Sequence, residues 1–127
     1  MGQQQLLLIV LGVIVVGIAI IVGINLFNAN AVSSNRDAVI SDLNNLAAMA
    51  QQYYKKPASM GGGANTFTGW KIPPQIDTTA NGNYSASVSG QSITIDGYGT
   101  ETGDDGSAKV HAQATVTPTS VTVAVKN

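Results

Sequence analysis

The sequence predicts an α+β protein in which a long N-terminal α-helix carries a small C-terminal antiparallel β-sheet head packed on it. Three observations lead there. An uncharged apolar run occupies Leu6 to Ile24, no Pro or Gly interrupts the chain between Ile24 and Lys56, and beyond residue 82 the apolar period changes from a helical one to two.

The first element is the run itself, which contains only Leu, Ile, Val, Ala and Gly. About 20 such residues, rising about 1.5 Å each in a helix, match a hydrocarbon core about 30 Å thick. Residues 3–30 are therefore competent to cross a bilayer. Every Lys, Arg, Asp and Glu lies at or beyond Arg36, so the chain splits into an apolar anchor and a polar remainder.

Residues 31–56 continue the helix in amphipathic form. Val32, Val39, Leu43, Leu46, Ala50 and Tyr53 recur at spacings of three, four or seven, and Arg36, Asp37, Asp42, Asn45 and Gln52 lie largely off that stripe. Lys55 and Lys56 place positive charge where the helix macrodipole is negative, and Pro57 ends the segment. A single helix of about 50 residues, roughly 75 Å long, is the expectation.

Residues 57–82 are rich in Pro, Gly, Ser, Thr and Asn and read as a loop, within which "TFTGWKI" offers a short strand bringing Phe67, Trp70 and Ile72 onto the helix. In residues 83–127, Tyr84, Ala86 and Val88 alternate with serines, and Gly90 and Gln91 supply a turn to Ile93 and Ile95. After "DGYGTETGDDGS", which reads as a connecting loop, Ala108 to Val116 and Val121 to Val125 alternate in the same way. Two hairpins, hence a four-stranded antiparallel sheet, follow. Its apolar face needs a partner layer, and the amphipathic helix is the one available.

Composition narrows the function. A net charge of -1 with no basic cluster beyond Lys55 and Lys56 gives a phosphate backbone nothing to grip, so nucleic acid is not an expected partner. The chain has no cysteine and one histidine, His111, which alternation puts on the polar face of its strand as a surface residue. Convergent titratable groups of the kind an enzyme needs are scarce, and no cofactor is expected. Tyr53, Tyr54 and Phe27 read as core or lipid-boundary aromatics.

The arrangement of Gly2, the polar triplet Gln3-Gln4-Gln5, the apolar run and a small β head resembles the type IV pilin family. The resemblance implies a subunit held in the inner membrane by its N-terminal helix, cut by a prepilin peptidase after Gly2 to expose Gln3, and handed to pilus assembly machinery. It then implies a homopolymeric extracellular filament on the cell surface with the helices bundled in its core. On that view Gly12, Gly17 and Gly23 are the positions where neighbouring helix backbones approach. The chain differs from most bacterial pilins in two respects: its leader would be Met1-Gly2 alone, with no basic residue, and Leu7 stands where they carry a Glu. An unpaired N-terminal charge in a filament core is costly, so cyclisation of Gln3 to pyroglutamate, or hydrogen bonds from the Gln3 to Gln5 amides, would have to answer it.

Other readings of the same residues stand beside this one. As an alternative, the run serves as a plain single-pass anchor for a small β domain, and Ala29-Asn30-Ala31 has the form of a signal-peptide cleavage site. A pseudopilin of a type II-like secretion system would share the architecture. Asp96, Glu101, Asp104 and Asp105 form an acidic, Gly-rich stretch of the kind calcium uses, although their spacing is not that of an EF-hand. Asn83-Tyr84-Ser85 is a glycosylation sequon with Asn83 as acceptor.

Overall fold

A computed structural model describes residues 2–127 as one helix and a five-stranded sheet. Helix α1 runs unbroken over Gly2–Lys55. The chain divides into two compact units, the first ending at Ala31 and the second comprising Val32–Asn127.

The first unit is helix alone. Its apolar side chains bury nothing: Leu6 is 62% exposed, Val16 58% and Phe27 77%. By length and composition this helix is compatible with a membrane span.

The second unit, the head, is an α+β layer pair. Val39, Leu43, Leu46, Ala47 and Ala50 of α1 are buried against the sheet, so the expected stripe is real, with Ala47 added. Val32 and Tyr53, at its two ends, are only half-buried. The sheet is an antiparallel meander in the order β1(Thr78–Thr79), β2(Gly82–Val88), β3(Ile93–Thr102), β4(Lys109–Val116), β5(Val121–Val125). Ile93, Ile95, Val110, Ala112, Ala114 and Val116 point to the helix and are fully buried.

The helix can lie on this sheet because the strands beneath it are small-faced. A Cβ on Gly97 would stand 2.8 Å from Val39 Cγ1 and 3.0 Å from the Tyr84 ring, and one on Gly99 would stand 2.0 Å from Asn35 Oδ1. Glycine therefore occupies strand interior here for close approach, a use that outweighs its cost in chain entropy.

Four details depart from the sequence reading. The sheet has five strands and begins at Thr78, not four from residue 83. Residues 57–82 hold a 3-10 helix, Ala58–Met60, as well as β1 and the first residue of β2. "TFTGWKI" forms no strand; Phe67 and Trp70 reach the core from a turn, with Trp70 N–H donating to Phe67 C=O. The acidic stretch is strand as far as Thr102, because its glycines are the ones the helix sits on.

The end of α1 shows why Gly61-Gly62-Gly63 stands where it does. The chain turns back beneath the helix so that the N–H groups of Gly63, Asn65 and Ala64 donate to the carbonyls of Tyr53, Tyr54 and Lys56, at 2.7, 2.8 and 2.9 Å. Carbonyls of a last helical turn have no partner within the helix, and here the loop supplies one. A Cβ at Gly62 or Gly63 would fall within 2.1 Å or 1.8 Å of neighbouring atoms, so the loop cannot close with any other residue.

Candidate functional site

The helix surface of the first unit is the largest chemically distinct feature of the molecule. Gly2 and Gln3 lie exposed in the first turn of α1, and Met1 falls outside the described residues. A Cβ on Gly12, Gly17 or Gly23 would meet nothing within 4 Å. Each glycine costs the helix about 1 kcal/mol relative to alanine, and no contact within this chain requires it. Gly12 and Gly17 instead flank an uncovered apolar stripe of Ile9, Val13, Val16 and Ile20, about 140° apart around the helix.

Where the helix enters the head, polar residues tie it down. Asn35 Nδ2 donates to Asn81 C=O at 2.8 Å, and its Oδ1 accepts from the N–H groups of Thr100 and Glu101. Those two N–H groups lie in the stretch between Tyr98 and Thr102 where the pairing of β3 with β4 shifts register. Asn35 thus replaces ladder bonds that the irregularity interrupts. Arg36 reaches Asp104 at 2.8 Å. We expect Asn35→Ala to remove about 1–2 kcal/mol from the head, a fall in melting temperature of roughly 4–8 °C per kcal/mol, measured by circular dichroism.

Asp42 is the second tie. Its Oδ2 accepts from Tyr84 Oη, from Asn81 Nδ2 at 3.1 Å and from Thr79 Oγ1 at 3.3 Å, joining the helix to β1, β2 and the turn between them. Burial, and then the hydrogen bond to the Asp42 carboxylate and its charge, push the Tyr84 phenol well above the ordinary tyrosine range. A raised folded-state value contributes stability that is complete below the unfolded tyrosine pKa of about 10 and is lost as pH rises above it. Tyr84→Phe should therefore be less stable than the parent at pH 7, with the gap closing above about pH 10 in alkaline melts.

The acidic residues singled out from the sequence go separate ways. Asp96 lies on β3 and accepts from Gln113 Nε2, and its Oδ1 lies 3.1 Å from His111 Nε2. Asp104 pairs with Arg36. Asp105 accepts from the N–H groups of Ser107 and Ala108 and from the Asn127 amide, bonds that hold its carboxyl below the usual range. Glu101 is exposed. Among the described residues, no three His, Asp or Glu side chains converge where a metal ion could sit. The melting temperature is accordingly expected to be the same with calcium as with a chelator.

His111 is better connected than the sequence suggests: besides meeting Asp96, its ring stacks on Tyr98 with centroids 4.3 Å apart. The pairing comes from the β3–β4 register, Tyr98 opposite His111 and Asp96 opposite Gln113, which alternation alone does not contain. Asn83 stands exposed on β2, between Thr78 and Tyr98 on the neighbouring strands. Tyr54 packs against Phe67 and donates to Gln91, and Tyr53 donates to Thr68 C=O, so both close the head, whereas Phe27 is on the bare helix.

Comparison with known proteins adds no relative: no family model, curated protein or solved structure matches the chain.

Proposed function

We propose that the protein is a structural subunit of a type IV pilus-like filament, anchored in the cytoplasmic membrane before assembly and extracellular afterwards. One observation carries this reading. A single unbroken helix buries none of its apolar side chains over its first half and serves as the core of a small β head over its second. A span of this hydropathy can rest in lipid, and the same surface, relieved by glycines that no internal contact uses, can bundle with copies of itself. The head then forms the outer surface, and Gly2 to Gln3 is the peptidase site.

The test is the intact mass of the protein in fibres sheared from cells, with electron micrographs of the same fraction. A chain beginning at Gln3 inside micrometre-long fibres supports the proposal and the cleavage site together. Membrane-bound protein of full mass without fibres would mean a plain single-pass anchor, and a soluble chain beginning near Val32 would mean a discarded signal peptide.

A further inference from the structure

The head carries its charge unevenly from one end to the other. Between Leu43 and Ile76 the charged residues are Lys55, Lys56 and Lys71, all exposed, and no acid accompanies them. The turns that meet the last turns of α1 add no charge: Gln91, between β2 and β3, accepts from Tyr54, and Thr117 and Ser120, between β4 and β5, accept from Gln51. The end of the head where α1 stops is therefore cationic.

The end where α1 enters the head is arranged the other way. Asp37 lies exposed just beyond Asn35 on α1, and Glu101, also exposed, donates its N–H to Asn35. The ion pairs among the described residues use neither carboxylate, and Arg36 is taken up by Asp104. Lys109 and Lys126 alternate with Val110 and Val125, which lie on the helix side, so both lysines fall on the outer face of the sheet. Beside the helix, this end is acidic.

Asp37 and Lys55 stand about 27 Å apart along α1 at the standard rise. The one charge between them, Asp42, is tied to Tyr84 on the sheet. Ser41, Asn44, Ala48 and Gln52, on the exposed side, carry none.

We infer that successive copies stack head to tail, with Lys55 and Lys56 of one copy against Asp37 and Glu101 of the next. The inference rests on the proposed filament and names its repeating head contact. A contact between two unlike ends is heterologous, so it repeats without closing and every copy keeps the same direction. The bare helix of each copy joins its head at the acidic end, passes along the exposed side of its neighbour's α1 and meets no charge there. Exposed ion pairs are individually weak, so the bundled helices supply the affinity and the charged ends set register and polarity. A copy placed upside down would bring lysine to lysine and carboxylate to carboxylate, which is costly.

Treating sheared fibres with a carbodiimide tests the contact on the native chain. The reagent condenses a carboxylate with a lysine amine in contact with it and takes up the water released. A link from Lys55 or Lys56 to Asp37 or Glu101 can join only two copies, because about 27 Å is more than two side chains span. The expected result is a ladder of covalent oligomers whose linked peptides, read by mass spectrometry, contain those pairs. Links from Lys55 and Lys56 to other carboxylates alone, or no links, would overturn the inference. In cells, the full-length chain with Lys55→Glu and Lys56→Glu should lose its fibres while circular dichroism shows the head still folded, and adding Asp37→Lys and Glu101→Lys should restore them. Glutamate also opposes the dipole at a helix C-terminus, but a rescue from the other end of the head cannot come from that effect. Undiminished fibres with the two glutamates, or no rescue by the two lysines, would remove this contact and leave the filament reading intact. A parent chain that makes no fibres would remove both.

Discussion

Gly97→Val is expected to lower the melting temperature of the head by roughly 10 °C, and Gly90→Ala to leave it nearly unchanged. The contrast isolates one cause. At Gly97 the first added carbon already stands 2.8 Å from Val39 Cγ1 and 3.1 Å or less from two atoms of the Tyr84 ring, before the valine methyls are considered. Val39 is fixed by the helix and Tyr84 by its bond to Asp42, so neither gives way without opening the layer between helix and sheet. Overpacking of this kind costs about 1–3 kcal/mol, sometimes more. A domain of this size has about 5–15 kcal/mol in all, and each kcal/mol is worth roughly 4–8 °C. At Gly90 an added carbon meets only Thr66 and Thr68 hydroxyls at 3.7 and 3.9 Å, ordinary contact. Thermal melts of both variants decide it: if Gly97→Val melts with the parent, the helix does not rest on β3.

The same glycines explain what the sequence disclosed and what it concealed. The alternation of Ile93 and Ile95, and of Val110, Ala112, Ala114 and Val116, revealed β3 and β4 because each strand has one fully buried face. The amphipathic stripe from Val39 to Ala50 revealed the covering helix for the same reason. Gly97 and Gly99 continue the buried face of β3, but a glycine carries no hydropathy, so the second half of the strand looked like loop. β1 is too short to show any period, and the edge position of β5 leaves its valines half-covered although their pattern is as regular as that of β4.

The polar ties were illegible for a different reason. Asn35 and Asp42 are single residues off the apolar stripe, and nothing local separates them from Asp37 or Asn45. Their partners, Thr100, Asn81 and Tyr84, are many residues away and meet them only once helix and sheet are docked. His111 meets Asp96 through register, which the bulge before Thr102 and the loop after it set together. The N-terminal half of the helix shows the opposite case, since its apolar composition was plain from the start and no described residue of the chain covers it.

That division can be tested by placing one substitution at two positions of the same helix. Val16→Arg is expected to weaken the protein's partition into the membrane and into any fibres while leaving the melting of the head unchanged. On the insertion scale an arginine at the centre of a span costs about 2.5–3.5 kcal/mol, where valine contributes about -0.3 to -0.6, so partition should fall by a factor of roughly 10² or more. Val16 is 58% exposed, so the folded head loses nothing. Val39→Arg should do the reverse. Val39 is 0% exposed beneath the sheet, and an arginine there buries an unpaired charge among apolar neighbours, which costs several kcal/mol. The head should then unfold while the chain stays in the membrane, as flotation on a density gradient and circular dichroism in detergent would record. If Val16→Arg destabilised the head, the bare half of the helix would be a structural part of it. The two halves answer to different solvents only if each arginine damages its own half.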